Sequence, residues 1–230
     1  LSLRLGLPVV FADDAALVLH KPPGLAVHKG PLVDASVADA LARELPEAGL
    51  AHRLDRDASG LLLVGRSAAA LRALGAAMER GEIAREYRAI VHGHVEDGPD
   101  GGERTIDLPL SVTDEPRGDR PKTVVDPGGQ PAVSHVTVLA RGRSTSLVLV
   151  RLGTARTRPV RPHLAAIGPP LLGDARYGDA DANARARASW GVHRAMLHAA
   201  RLRFASPATG REVDVTAAAE PDFARLFAQR

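Results

Sequence analysis

The stretch His52–Gly60, HRLDRDASG, is a charged segment that leads without a break into the apolar run Leu61–Gly65, LLLVG. The apolar run predicts a buried strand. At the start of such a strand, Asp55 would be partly desolvated, yet Arg53 and Arg56 beside it would keep it ionised. A nucleophile requires this environment, but acid and arginine clusters at strand ends more often form structural ion pairs. The stretch alone leaves both interpretations open.

The composition is that of a globular protein. The chain has 230 residues, of which 45% are hydrophobic, so it can fill one core. We find no apolar run of the roughly 18 to 20 residues that a membrane span requires and no secretory leader, so we expect a cytoplasmic protein without a membrane partner. The sequence has no cysteine, which excludes disulfides and thiolate metal sites.

The positive charge is concentrated in the last third of the chain. The formal net charge is only +3, but Arg151 to Arg211 holds 11 arginines against three acids, a local balance of +8. Such a block would suit a polyanion such as RNA. The alternative is a solvated basic face, because 27 of the 30 basic residues are arginine, which a compositional bias of the source would also produce. Aromatic residues make up only 3%, which argues against a stacking platform for single strands.

The order of apolar runs and breakers predicts an α+β fold with a mixed, largely antiparallel sheet flanked by helices. Residues 96–129 are rich in Pro, Gly and Asp, so we expect mostly loop there, inserted within one domain that spans residues 1–230. The predicted strands are Leu17–Leu19, Leu61–Val64, Tyr87–Val91, Thr105–Leu108, Ala132–Leu139, Leu147–Leu152 and Met196–Phe204. The predicted helices are Val37–Leu45, a helix from the N-cap Ser67 to Arg80, Val160–Ile167 and one at the C-terminus.

Five motifs in order resemble the RluA-type RNA pseudouridine synthases. HRLDRDASG is similar to that family's H-R-L-D-x-x-T-S-G signature, and REYRAIVHG resembles its K-x-Y-x-A-x-V-x-G strand. The segment KPPGLAVH is similar to its K-P-x-G-L-x-V-H loop. GTARTRPVRPHLAAIGPPLLGDARYG resembles T-G-R-T-H-Q-I-R-x-H-L-A-x-I-G-x-P-x-x-G-D-x-x-Y-G, and MLHAARLRF completes the pattern. The resemblance covers nearly the whole chain, and five ordered motifs are far more specific than one.

The resemblance implies an isomerase that acts on RNA. In this family uridine becomes pseudouridine: the bond from N1 to C1′ is broken, the base rotates while it is held, and C5 is joined to C1′. It implies ribosomal RNA as the first expected target, with transfer RNA next, and no cofactor or metal. It also implies one catalytic domain around an active-site cleft, without the N-terminal S4 domain that many members carry. We expect a monomer.

The resemblance assigns catalytic roles to three residues. Asp55 matches the essential aspartate, which attacks the sugar, attacks the base or takes part in proton removal at C2′; the sequence does not choose among these routes. Tyr87 matches a tyrosine placed against the target base. Arg161 matches an arginine that pairs with the aspartate and keeps it charged and oriented.

Further residues are predicted to contact RNA. Arg53 matches the residue that fills the gap left when the target base is flipped out of its stack. His52 is expected to shape the loop more than to carry protons, and Lys21 is a weaker phosphate candidate. The full predicted set is Arg53, His52, Arg56, Lys21, Arg156 and Arg158. No metal site is predicted, because His92 and His94 share a strand face without a third ligand.

The chain departs from the family pattern at several positions. Ala58 stands in place of threonine and Arg85 in place of lysine, and both changes are mild. In the segment from Ala155 to Pro159, Ala155 replaces a glycine and Arg158 and Pro159 replace a His-Gln pair. Pro159 and Pro162 both fall near a helix start, where the first turn tolerates proline. These changes favour altered RNA contacts with retained chemistry.

Two other classes of function stay open at this stage. The first is a catalytically impaired RNA-binding or RNA-folding protein with the same fold, which the changes at Ala155–Pro159 favour. The second is a nucleoside or glycoside hydrolase, which would need two opposed carboxylates. We rank the hydrolase low, because only Asp57 lies near Asp55 in the sequence.

Overall fold

The structure is a computed structural model that describes residues 6–30, 33, 35–99, 101–113, 121–154 and 159–228. The chain divides into two compact units, Leu1–Tyr87 with Leu197–Ala224 and Arg88–Met196 with Arg225–Arg230. The prediction that residues 1–230 form one domain stays a prediction. Within the described ranges, no helix is long and apolar enough to cross a membrane.

The first unit contains a sheet with the strand order β1-β2-β4-β11, to which β12 is added beside β11 and the short β3 beside β4. Its pairings are antiparallel except between β4 and β11, which are parallel. The strands are β1 (Val9–Ala12), β2 (Ala16–Lys21), β3 (Gly49–Leu50), β4 (Ser59–Gly65), β11 (Leu197–Ala205) and β12 (Glu212–Thr216). The helices are α1 (Val37–Glu44) and α2 (Ala68–Glu79), while α5 (Pro221–Ala228) and β5 (Ala84–His92) run across the division of the chain.

Strand β4 is the centre of this sheet, as its sequence predicts. All seven of its residues are buried. β2 pairs along residues 60–65, β11 pairs with Ser59 and Gly60, and β3 pairs with Val64 and Gly65. Gly60 is required at the point where β4 meets β11. Its φ is +107°, and a Cβ there would lie 2.2 Å from the carbonyl oxygen of Ala199. Only glycine combines this backbone conformation with so close an approach.

Helices α1 and α2 of the first unit begin at serine N-caps, of which Ser67 was predicted from the sequence. The Ser67 hydroxyl accepts a hydrogen bond from the amide of Ala70, and Ser36 accepts one from the amide of Asp39. Gly81, with a φ of +74°, follows the end of α2. The predicted helix starts and stops are therefore confirmed to within one residue.

The second unit contains the strand order β5-β10-β9-β6 and a separate antiparallel ribbon of β7 and β8. Its remaining strands are β6 (Arg104–Asp107), β7 (Leu110–Thr113), β8 (Lys122–Val125), β9 (Val133–Arg141) and β10 (Thr145–Leu152), and its helices are α3 (Val160–Ala166) and α4 (Ala180–Trp190). With nearly all pairings antiparallel and the helices outside the sheet, the α+β prediction is confirmed.

Two elements correct the sequence predictions in this unit. Besides the predicted strand β6, residues 96–129 contain the ribbon of β7 and β8, which the sequence analysis placed in loop. Helix α4 was not predicted at all, because its only buried residues are Ala182 and Ala186 and so it shows no apolar stripe. Its ends still carry ordinary signals: Asp179 caps the start, and Gly191 ends it in the left-handed conformation.

Candidate active site

Asp55 lies on a tight turn directly before β4. The amide of Ala58 donates to the carbonyl of Asp55 over 3.2 Å, which closes the turn. Leu54 and Ala58 on either side are buried, whereas Asp55 is partly exposed. The two buried neighbours anchor the turn and leave the aspartate at its surface. The alanine that departs from the family signature is thus a small residue in a buried position.

Lys21 holds this turn against the loop that follows β2. Its side chain is fully buried, and its ammonium donates to the carbonyls of Pro22 at 2.8 Å, Leu25 at 3.0 Å and Arg56 at 3.1 Å. Arg56 and Gly24 add two further bonds, one from the Gly24 amide to the Arg56 carbonyl and one from the Arg56 Nε to the Gly24 carbonyl. Lys21 therefore braces two loops, which corrects the expectation that it contacts a phosphate.

His52 fastens the other end of the turn segment. Its Nε2 accepts a hydrogen bond from the amide of Leu63 over 3.0 Å, which ties the segment to the middle of β4. Burial, and next the charge of Arg85, lower the pKa of His52 to about 3. The imidazole is therefore neutral at neutral pH. His52 shapes the loop, as predicted, and it supplies no positive charge for RNA.

Tyr87 and Asp55 are brought together within the first unit. The Tyr87 side chain is only 6% exposed, and burial is the main reason that its pKa is raised. The charge of Arg85 opposes this shift and the nearby carboxylate of Asp55 adds to it. The phenol is therefore protonated at neutral pH and can donate a hydrogen bond. The catalytic roles of the two residues stay predictions.

Arg85 is a site residue that sequence reasoning undervalued. It was treated as a mild replacement of a lysine, yet its charge acts on both His52 and Tyr87. The signal was available: Arg85 and Tyr87 are two residues apart on β5, so their side chains project from the same face.

Arg53, which is predicted to fill the gap left by the flipped base, is exposed. Burial and then the charge of Arg53 lower the pKa of His28. His28 belongs to the loop after β2, whose motif also contains Lys21. An exposed cation in the same unit as Asp55 thus acts electrostatically on a residue of that loop.

Arg161 lies in the first turn of α3 and is paired with Asp174 inside the second unit. Its Nε and Nη2 reach the two carboxylate oxygens at 2.7 and 2.6 Å, a bidentate geometry. Asp174 is fully buried and also accepts from the amides of Arg176 and Tyr177. Burial alone would raise the pKa of Asp174, but the bond and charge of Arg161, together with these amides, lower it. The pairing of Arg161 with Asp55 joins residues of different units and stays a prediction.

Tyr177 holds the outer side of this cluster. The Arg161 guanidinium lies 4.9 Å from the ring centroid and the Lys122 ammonium 5.1 Å, both within cation–π range. The Tyr177 hydroxyl accepts from the amide of Thr123 over 3.0 Å. The turn that contains Asp174 and Tyr177 orients Arg161, a link that spacing along the chain did not reveal.

The two prolines near the start of α3 are accommodated as expected. Pro159 is the N-cap and Pro162 is the third helical residue, so both lie where amides lack partners within the helix. The first helical bond runs from the amide of His163 to the carbonyl of Pro159 over 2.8 Å. His163 is buried between the Ser134 hydroxyl and the Leu108 carbonyl, each 2.9 Å from a ring nitrogen, and so anchors the helix.

Three of the arginines counted between Arg151 and Arg211 are paired with acids outside that block. Arg151 pairs with Glu103, and Arg203 lies 4.0 Å from Glu212. Arg201 pairs with Asp214 and Glu86. The excess of positive charge counted along the sequence is therefore larger than the excess that these arginines present to a polyanion. The predicted RNA contacts Arg156 and Arg158 lie outside the described residues, as does Ala155.

His92 and His94, at the end of β5, belong to no group of metal ligands among the described residues. His92 is the last residue of the strand, and the Nε2 of His94 lies 2.9 Å from the carbonyl of Gly142. In the part of the chain that the structure describes, no group of three or more histidine, aspartate or glutamate side chains could hold a metal ion.

Curated relatives match the chain over almost its full length. It is 36% identical over 238 residues to ribosomal large subunit pseudouridine synthase D of Vibrio vulnificus (strain CMCP6), covering 96% of this chain and 69% of that protein. It is 33% identical over 239 residues to the protein of the same name from Escherichia coli (strain K12), with the same coverage. Ribosomal large subunit pseudouridine synthase C of Vibrio cholerae is 34% identical over 215 residues, covering 92% and 65%.

Solved structures share the fold. Human RNA Pseudouridylate Synthase Domain Containing 1 superposes with a TM-score of 0.74 at 24% identity, covering 94% of this chain and 84% of that one. Human RNA Pseudouridylate Synthase Domain Containing 4 superposes with a TM-score of 0.73 at 20% identity, covering 94% of this chain and 90% of that one.

The model of the RNA pseudouridylate synthase family matches residues 15–166, which include Asp55, Tyr87 and Arg161. This chain belongs to the RNA pseudouridylate synthase family.

Proposed function

We propose that this protein isomerises uridine to pseudouridine in ribosomal RNA and that Asp55 is the catalytic carboxylate. One observation carries the assignment: Asp55 is partly exposed on a turn that buried groups fix, next to the buried phenol of Tyr87. A reacting carboxylate has to be accessible and held in one orientation. Family membership supplies the reaction.

The side chains of the site suggest which residue carries out which part of the reaction. The Asp55 carboxylate acts on the sugar or the base, or takes a proton at C2′, while the base is detached and turned. Tyr87 stays protonated because its pKa is raised, so its hydroxyl donates to the bound base and does not act as an anion. We further propose that Arg161, oriented by Asp174, supplies the positive charge that keeps Asp55 ionised. The isomerisation exchanges no electrons, so we propose that no redox cofactor takes part.

Ribosomal RNA is the proposed target, because the curated relatives are named for the large ribosomal subunit. Transfer RNA is the second choice. A uridine within folded RNA must leave its stack before it can react, and this costs a few kcal/mol that an inserted side chain can offset. We propose that Arg53 is that side chain, since it is exposed and only two residues from Asp55. Arg56, which is exposed and hydrogen-bonded to the Gly24 carbonyl, is proposed to contact the RNA backbone. We also propose that the protein acts in the cytoplasm as a monomer.

The decisive experiment measures tritium release from large-subunit ribosomal RNA that carries 5-tritiated uridine. Joining C5 to C1′ displaces the hydrogen on C5, so each turnover releases one label into water. We expect release by the parent protein and none by Asp55→Asn, which should still bind the RNA. Asp57→Asn is the matched control, because Asp57 is an exposed carboxylate in the same turn.

Each outcome has a definite meaning. Comparable release by Asp55→Asn and the parent protein would refute the catalytic assignment. A parent protein that binds RNA without releasing tritium would favour the alternative of a non-catalytic RNA-binding or RNA-folding protein. Free uracil in solution would indicate a hydrolase.

A further inference from the structure

A buried histidine on β11 contacts the first residue of β4. His198 is fully buried, and its Nδ1 lies 2.9 Å from the hydroxyl of Ser59, which is also fully buried. On the other side of the ring, Nε2 lies 3.2 Å from the carbonyl of Ala217. The two strands are in register at this point, with His198 opposite Ser59. The histidine therefore links the start of β4 to the chain that follows β12.

The direction of these hydrogen bonds follows from the chemistry of the groups. The Ala217 carbonyl can only accept, so Nε2 of His198 carries the hydrogen. In the neutral ring Nδ1 then has a lone pair, and the Ser59 hydroxyl donates to it. A hydroxyl that donates along a fixed line has one preferred rotamer. The ring thus sets the orientation of the Ser59 side chain.

Ser59 lies between the catalytic turn and the sheet. The turn closes between Asp55 and Ala58, and Ser59 is the next residue. Gly60 comes after it, pressed against the backbone of Ala199. At this junction the chain is held by the Ser59 side chain, by the close approach of Gly60 to Ala199 and by the pairing of Gly60 with Lys21 of β2. Any shift of Ser59 would pass through Ala58 to the turn that carries Asp55.

We propose that Ser59 and His198 are positioning residues for the reaction at Asp55. Their hydrogen bond fixes the direction in which the chain leaves the turn, and so it holds the carboxylate in its reactive orientation. A displacement of about 1 Å can cost roughly 100-fold in rate. This inference rests on the proposed function, because it assumes that Asp55 reacts.

The surroundings of His198 decide which variants can test the proposal. The ring packs edge-on against His20 and Phe223, with centroids 5.8 and 6.1 Å away. His20 in turn lies 3.5 Å from Glu220. Removing the imidazole would therefore disturb a packed cluster as well as the bond to Ser59. Variants that keep one polar atom of the ring separate the two effects.

The test compares Ser59→Ala with two replacements of His198. Asparagine places an amide group near the position of Nδ1 and can still accept from Ser59. Glutamine places one near Nε2 and keeps only the bond to Ala217. We expect Ser59→Ala and His198→Gln to lower kcat about 10- to 100-fold, with the apparent KM for RNA changed less than about threefold. His198→Asn should keep kcat within about threefold of the parent.

Ser146→Ala is the matched control. Ser146 is another fully buried serine on a strand, and its hydroxyl donates to the carbonyl of Gly93 over 3.0 Å. Loss of either hydroxyl should reduce the free energy of unfolding similarly, by about 1 to 3 kcal/mol. Only Ser59→Ala should reduce kcat. A purely structural role for Ser59 would give the two variants the same activity.

The outcomes separate this inference from the proposed function. An active parent protein with an unchanged kcat in Ser59→Ala would overturn the inference alone. So would a loss expressed in KM, or equal kcat values for His198→Asn and His198→Gln. A parent protein that releases no tritium from any RNA would overturn the proposed function and this inference with it.

Discussion

Asp55 and Asp174 each begin a tight turn, yet the protein uses the two carboxylates in opposite ways. Asp174 is fully buried, and its oxygens accept from Arg161 and from the amides of Arg176 and Tyr177. Asp55 is partly exposed, on a turn fixed by bonds from the Ala58 amide and the Lys21 ammonium to main-chain carbonyls. The comparison teaches that residue type and turn geometry do not identify a reactive acid. What distinguishes the two is the exposure of the carboxylate.

Replacing each acid by its amide should separate stability from activity, and this is the largest effect we expect. Asp174→Asn leaves a partly buried guanidinium without its counter-charge and turns an amide donor towards other donors. We expect it to lower the free energy of unfolding by about 3 to 5 kcal/mol. Asp55→Asn should change it by less than about 1 kcal/mol while activity is lost. Urea unfolding of the two purified variants measures both values, and equal losses would break the comparison.

A second pair of variants tests how the first region is held. Gly60→Ala would bring a Cβ to 2.2 Å from the Ala199 carbonyl oxygen, at a φ of +107°. Gly81 also has a positive φ, but a Cβ there would have open space around it. We expect a loss of roughly 3 kcal/mol or more for Gly60→Ala and about 1 to 2 kcal/mol for Gly81→Ala. Urea unfolding decides the matter, and a Gly60→Ala protein as stable as the control would contradict the close approach.

Lys21 and Arg53 sharpen the same comparison, because both are basic and both belong to the Asp55 region. Lys21→Met removes the donor to three carbonyls and should cost about 2 to 3 kcal/mol of stability. It should leave the dependence of RNA affinity on salt unchanged. Arg53→Met should do the reverse, with unchanged stability and a salt slope reduced by about one. A reduced slope for Lys21→Met would restore that residue as a phosphate contact.

The sequence predicted the Asp55 region better than the Arg161 region, and the reason is physical. HRLDRDASG and the strand after it are contiguous, so one stretch specifies both the turn and its anchor in the core. The Asp174 cluster is assembled from α3, the turn at Tyr177 and the strand that carries Lys122, and β8 was missed because prolines and glycines flank it. Lys21 was misjudged for a related reason, since lysines are rarely buried and its three acceptors come from two separate loops.

The pH dependence of stability should also differ between the two regions. The pKa of His52 is about 3 in the folded protein and about 6.5 when unfolded. Between these values the unfolded chain binds the extra proton, so stability is fully present above pH 6.5 and is lost as the pH falls towards 3. The pKa of Asp174 is lowered from 3.8, so its contribution persists until the pH falls below about 4. Mild acid should therefore remove the contribution of His52 before it affects that of Asp174.

His52→Gln isolates this effect, because the amide can still accept from Leu63 but does not titrate. From pH 6.5 to 5.5 the parent protein should lose up to about 1.4 kcal/mol more stability than the variant, the value for one proton over one pH unit. Urea unfolding of both proteins at the two pH values gives the difference directly, and the other histidines cancel in it. Parallel losses would mean that His52 is protonated in the folded protein. His52 would then be a candidate cation for RNA, and the acceptor bond that ties the Asp55 segment to β4 would have to be abandoned.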